Sequence, residues 1–169
     1  MNQRTPFENT ACSVARTLNI IGEWWTLLIL RDIFYEIRRF SLLRDHLGIS
    51  RKILTNRLTT LINNNIIRRK KYQENPVRYE YVLTHAGRDL FPIVIAILGW
   101  GDKWIHKNED IPIQLFDDRN KIIDPLLINR NTREPIVYGK VHINLGSPVH
   151  EEEWNALMEV VNKSKTEKT

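Results

Sequence analysis

Apolar residues recur at helical spacing through most of the first hundred positions, and the breaks between stretches fall at glycine, serine and threonine. Val14, Leu18 and Ile21 stand at i, i+4 and i+7 and predict a short amphipathic helix from Cys12 to Ile21, broken by Gly22. "EWWTLLILRDIFY" follows, apolar on nearly every side, the pattern of a fully buried central helix. "SLLRDHLG" predicts another helix with Ser41 as N-cap and Gly48 as C-terminal stop. Ser50 then caps a helix whose stripe is Leu54, Leu58, Leu61 and Ile62. Its opposite face carries Lys52, Asn56, Thr59 and Asn63, flanked by Ile53, Thr55 and Thr60. Arg51 and Lys52 sit in its first turn, where cations oppose the helix dipole. An anion or a base edge would compensate for that placement.

Beyond this helix the period changes. "IIRRKKY" reads as a strand, "QENPV" as a turn and "RYEYVL" as a returning strand, together a hairpin with a polar tip. Thr84 is placed to cap one long final helix, "HAGRDLFPIVIAILGWGDKWIHK", with a kink expected at Pro92. The apolar residues of that helix surround its axis. Trp100, Trp104 and Ile105 are therefore left to find a partner, a second subunit. From Asn108 short apolar runs are broken by Asp-Asp, Asn-Lys, Asn-Arg-Asn-Thr and Gly-Ser-Pro, the texture of a small antiparallel β unit. "EEEWNALMEVV" predicts a short last helix with acids in its first turn, and "NKSKTEKT" a frayed tail.

Charge sharpens this picture. The net charge is +5, and the excess is local: residues 31–71 hold eleven Lys/Arg against three Asp/Glu, while beyond Asp110 acids outnumber bases nine to eight. A basic segment inside a folded domain points to a polyanion, nucleic acid before membrane. Helix, short turn, helix and a hairpin of basic strands is the order of a winged helix-turn-helix. One helix fits the major groove, its first turns reach base edges, and the hairpin reaches backbone or minor groove. Arg38, Arg39, Arg68, Arg69, Lys70, Lys71 and Arg78 flank the helix as candidate phosphate contacts. The rival is a winged helix used for protein contacts.

The stretch from Cys12 to Trp104 resembles the HxlR-type family of bacterial winged helix-turn-helix transcription regulators. The marks are the Cys ahead of the first helix, "GEWWTLLILR", "RRFSLL", "GISRKILTNRL", "YQENPVRYEYVLT" and the Gly87–Arg88 pair. Ser13, Ile37 and Asn65 depart from the family pattern, which has Pro, Pro and Gly at those places. Asn tolerates the left-handed conformation, so Asn65 is expected to keep its turn. The resemblance implies a homodimer joined through its first and last helices and bound to two half-sites of a palindromic operator. It implies an interface containing Val14, Leu18, Ile97, Trp100 and Trp104. It also implies DNA contacts from Arg38, Arg39, Ser50, Arg51, Lys52, Thr55, Asn56, Thr59, Arg68, Lys70 and Arg78. In some proteins of this kind a Cys at the position of Cys12 senses oxidants or electrophiles. A thiol at a helix start with Arg16 one turn on suits that role, and a packing role suits it equally.

Other chemistries find little support. Cys12 is the single cysteine, which rules out a disulfide framework within the chain and a cysteine-based zinc site. His46, His85, His106, His142 and His150 are scattered, with no metal-ligand spacing. No Gly-rich phosphate loop is present, so no catalytic residue, metal or cofactor is assigned. The polar N-terminus lacks the apolar core of a secretory signal, and no apolar run is long enough to span a bilayer, so a cytoplasmic location is expected. The sequence is thus read as an α+β protein. Residues 1–108 are a winged helix-turn-helix domain for DNA binding and dimerisation, and residues 109–169 are a small β-containing extension. Double-stranded DNA and a second copy are its expected partners. A regulator gated by a small-molecule effector is the alternative, with the extension as either a brace or a ligand pocket.

Overall fold

A computed structural model describes residues 10–107, 109–144, 146 and 150–166. The expectations for residues 1–9, for the Ser-Pro step of the Gly-Ser-Pro break and for the last three residues of the tail lie outside these. The described residues form two compact units, one of residues 17–125 and one of residues 10–16 with 126–166. In chain order the elements are α1 (Ser13–Ile21), α2 (Trp24–Phe34), α3 (Phe40–Leu47), α4 (Arg51–Asn63), β1 (Ile67–Gln73), β2 (Arg78–Leu83), α5 (His85–Arg88), α6 (Phe91–Trp104) and α7 (Glu151–Thr166). Three helices followed by an antiparallel hairpin make the first unit a winged helix-turn-helix.

Its core is assembled from one stripe of each element. Ile29, Leu30 and Ile33 of α2 meet Leu43 of α3, Leu54, Leu58 and Leu61 of α4, and Ile66, Ile67 and Tyr81 of the hairpin. Helix α2 is central but not wholly buried, contrary to the expectation from its composition. The core partners lie on the face of Thr26, Ile29 and Ile33, and Trp24 on another face stays in solvent.

Two helix boundaries also differ from those expected. Helix α3 starts at Phe40, not after Ser41, and Arg39 is its N-cap without a side-chain cap bond. The reason lies far along the chain: Arg39 is held extended by an antiparallel bridge to Glu80, so the helix begins where that pairing ends. The second difference is at Pro92. Instead of one kinked helix, the chain closes α5 at Arg88, turns through Asp89 and Leu90, and restarts α6 with Pro92 in its first turn. There proline's missing N–H is not needed, whereas a continuous helix would have required it to bond one turn back.

Other local expectations hold. Gly48 ends α3 in the left-handed conformation (φ 62°), and Ser50 Oγ accepts the Ile53 N–H at 3.3 Å. Asn65 is left-handed (φ 55°) and turns the chain from α4 into β1. Thr84 Oγ1 accepts the Gly87 N–H at 3.1 Å and caps α5. Among the described residues of the extension, β structure is limited to isolated bridges, Phe116 with Ile122 and Ile128 with Pro135. An Asx turn lies inside each: Asp117 Oδ1 accepts from the backbone of Arg119 and Lys121, and Asn129 Oδ1 from that of Asn131. Helix α7 has its acids in the first turn and runs five residues past the expected end at Val161, through part of the segment read as a frayed tail.

Gly87 marks the tightest point. A Cβ built there would overlap the carbonyl oxygen of Ile66, the same oxygen that accepts the Thr84 N–H at 3.0 Å. In an open helix Gly→Ala gains about 0.5–1 kcal/mol. Here a clash with backbone cannot be relieved by a rotamer change, so overpacking should prevail. Gly87→Ala is expected to destabilise the protein by about 1–3 kcal/mol in urea unfolding.

Candidate nucleic-acid interface

The α4 helix has one dry side and one wet side. With Leu54, Leu58 and Leu61 buried, Arg51, Lys52, Thr55, Asn56 and Thr59 are all exposed on the rest of its surface, just after the Ser50 cap. The first turn holds two cations and no acid. Arg51 is partly compensated, since its guanidinium lies over the Phe40 ring, 5.6 Å from the centroid. Thr60 and Asn64 spend their side chains on backbone carbonyls of the same helix, those of Asn56 and Thr60.

The angle of α3 against α2 is fixed by a buried carboxylate. Asp32 is fully buried, and its Oδ1 accepts from Arg31 Nε at 3.0 Å and Nη2 at 2.7 Å. Its Oδ2 lies 2.7 Å from Nδ1 of His46, near the end of α3. This network went unnoticed in the sequence because His46 lies fourteen positions from Asp32.

The wing is tied to the same helices. Tyr81 N–H donates to the Arg38 carbonyl at 2.8 Å, which with the Arg39–Glu80 bridge adds the α2–α3 connection to the edge of β2. Arg39 places its guanidinium 4.4 Å from the centre of the Tyr72 ring. Arg78 is exposed at the start of β2, beside the tip. Pairing of Arg68 with Val82 and Lys70 with Glu80 puts both cations on one face of the hairpin. Several cations are already engaged: Arg38 with Glu36 at 2.6 Å, Lys70 with Glu80 at 3.4 Å and Lys71 with Glu74 at 2.9 Å.

The residues singled out from the sequence therefore form two groups. Ser50, Arg51, Lys52, Thr55, Asn56 and Thr59 share one end and face of α4. Arg38, Arg68 and Lys70 converge instead on a hollow of about 500 Å³. Arg39 and Arg78 belong to neither. The hollow also contains Arg88, which the sequence reading did not single out as a site residue although it is half of the Gly87–Arg88 mark.

The residues expected to meet a second copy are exposed. Val14 and Leu18 are so on α1, and Ile97, Trp100 and Trp104 on α6, where the two tryptophans retain 60% and 62% of their surface. Cys12 is exposed just before α1; its N–H donates to Thr10 Oγ1 at 3.2 Å and its carbonyl accepts the Arg16 N–H at 3.0 Å. Among the described residues no group of His, Cys, Asp and Glu could hold a metal ion, and no helix is long and apolar enough to cross a membrane.

Residues 20–109, more than half of the chain, match the model of the HxlR-like helix-turn-helix family. The chain belongs to that family. The HTH-type transcriptional regulator Rv3095 of Mycobacterium tuberculosis, itself uncharacterised, is 46% identical over 103 residues, which cover 61% of this chain and 65% of the relative. The chain thus spans just under two thirds of that relative's length. The uncharacterised regulator sll1512 of Synechocystis is 38% identical over 97 residues, 57% of this chain and 72% of its own. Among solved structures, PA1607, a proposed transcription factor, is similar with a TM-score of 0.75 at 29% identity, over 83% of this chain and 99% of that one. That share exceeds the span of the HxlR-like model, so the likeness continues into the extension. Two features of the HxlR-like pattern acquire physical reasons here. Gly87 clears the Ile66 carbonyl, and Asn65 keeps a left-handed turn without glycine.

Proposed function

We propose that this protein is a transcriptional regulator that binds a palindromic DNA operator as a homodimer. The observation that carries the reading is the division of α4: three buried leucines dock the helix, and the opposite face offers Arg51, Lys52, Thr55, Asn56 and Thr59 at the end nearest the Ser50 cap. That arrangement suits a recognition helix whose first turns enter the major groove. Arg78, at the exposed base of the wing tip, approaches the backbone or minor groove, and Arg38, Arg39, Arg68 and Lys70 supply phosphate contacts.

Replacing Lys52 or Asn56 by Ala should cost about 1–3 kcal/mol of operator binding and relax preference at one base position. Arg68→Ala or Lys70→Ala should weaken all sequences alike and lower the salt slope by about one unit per lost phosphate contact. Retention of DNA at low salt by all four variants, as strong as in the parent protein, would remove α4 and the wing from the interface. A protein-contact module would show no salt-dependent DNA retention at all.

Dimerisation is supported by the exposed apolar side of α6. Ile93, Ile97, Trp100 and Trp104 recur at helical spacing and are all in solvent in the single chain. Val14 and Leu18 are the corresponding surface of α1. Trp100→Asp or Trp104→Asp should give monomer or insoluble protein, because a charge would be stranded in an apolar interface. Light scattering of the parent protein at micromolar concentration should return the mass of two chains; the mass of one would end this reading.

Cys12 is a candidate redox switch. It is exposed, and any disulfide it forms must join two chains or a small thiol. Diamide treatment should then change operator affinity reversibly, and Cys12→Ser should abolish the response while leaving reduced-state binding intact. An unchanged affinity with the thiol still free on a non-reducing gel would leave Cys12 a structural residue.

A further inference from the structure

The hollow behind the wing has features that contact with a duplex backbone does not explain. Arg38, Arg68, Lys70 and Arg88 line it together with Phe34 and Phe91. The two rings pack edge to face, 4.9 Å between centroids, and make an apolar wall. Arg38 Nε is buried and has no hydrogen-bond partner among the described residues, an unusual state for a charged donor. The other end of the same guanidinium is held by Glu36 through Nη2 at 2.6 Å. Glu36 itself is left-handed at φ 67°, a conformation that favours glycine. A strained residue therefore supplies the one carboxylate of the hollow, and that carboxylate occupies the arginine. Among the described residues Arg68 and Arg88 have no ion pair.

The geometry points to a binding site for a small aromatic carboxylate in this hollow. Its volume of about 500 Å³ falls within the range of about 300–1,000 Å³ typical of ligand pockets. Arg38 and Lys70 are matched by Glu36 and Glu80, so it is Arg68 and Arg88 that call for an anion, and the Phe34–Phe91 wall calls for a flat apolar body attached to it. The planar guanidinium of Arg38 suits a carboxylate, which would displace Glu36 from Nη2. Inorganic phosphate would meet the charge but leave the aromatic wall wet. A duplex phosphate likewise brings no flat apolar group to that wall. Occupancy would withdraw Arg38, Arg68 and Lys70 from DNA; this regulatory consequence rests on the DNA-binding reading above, and the ligand site does not.

The test is calorimetric titration of the full chain, free of DNA, with 1-naphthoate as the probe. One saturable site per chain is expected, with 1-naphthamide and inorganic phosphate each binding at least about tenfold more weakly. Arg38→Met and Arg88→Met should each weaken naphthoate by about tenfold or more. Glu36→Gly should instead tighten it, because the competing carboxylate and the backbone strain are removed together. This gain of affinity keeps the test decisive even if an arginine variant fails to fold. Absence of saturable binding up to millimolar naphthoate in both the parent and Glu36→Gly overturns the site. So does equal binding of phosphate, or naphthoate binding unaffected by either arginine substitution in folded protein. DNA retention at low salt is measured alongside, and naphthoate should flatten its salt slope. Binding of naphthoate with unchanged DNA retention overturns the regulatory consequence and keeps the site. Loss of DNA retention in the untreated protein counts against the DNA-binding reading alone.

Discussion

Everything at the candidate interface depends on three leucines being kept dry. Leu54, Leu58 and Leu61 lie on one stripe of α4 and are buried against α2, α3 and the hairpin. Burying each is worth about 1.5–3 kcal/mol, whereas a cation in the first turn of a helix opposes the dipole by about 0.3–1 kcal/mol. The stripe therefore outweighs the two cations at the start of the helix by a wide margin. That surplus frees the opposite face from any structural duty. Arg51 and Lys52 can stand where stability alone would prefer acids, with the Phe40 ring offsetting part of the charge of Arg51.

The basic segment is less uniformly basic than its composition implies. Arg31 is committed to buried Asp32, and Arg44 to neighbouring Asp45 at 2.6 Å. Lys71 and Lys70 have carboxylates from the wing itself, Glu74 and Glu80. Exposed pairs of this kind contribute little to stability, about 0–1 kcal/mol each, so they yield readily to a stronger anion. The buried Asp32 network is different in kind. It joins two helices, and its carboxylate is fully buried.

What was legible in the sequence was whatever is decided within a few residues. The Ser50 and Thr84 caps, the Gly48 stop, the left-handed Asn65, the leucine stripe and both wing strands follow from local chemistry, and the structure has them. The misplaced start of α3 was set by a partner forty-one residues away, when Glu80 holds Arg39 extended. The break between α5 and α6 was half visible, since Pro92 announced a disturbance without saying which side of it would be helical. Trp24 was misread because apolar composition records what a helix could bury, not how many neighbours it finds. Arg88 was passed over for a related reason: it meets Arg38, Arg68 and Lys70 at the hollow only once α5 packs behind the hairpin. The two groups of cations are interleaved in sequence, Arg51 and Lys52 falling between Arg38 and Arg68, and only the tertiary fold separates them.

The Ile66 carbonyl has a mechanical consequence. It accepts both the N–H and the hydroxyl of Thr84, the same hydroxyl also reaches the Asn65 carbonyl at 2.6 Å, and Gly87 presses close above it. The end of α4 and the root of the hairpin thus share one fulcrum. From there β1 extends seven residues, a lever arm of about 20 Å at strand rise. A tilt of about ten degrees about that fulcrum would displace the tip by about 3.5 Å. Because Glu80 and Tyr81 are tied to Arg39 and Arg38, such a tilt would pull on the α2–α3 connection as well as on the tip.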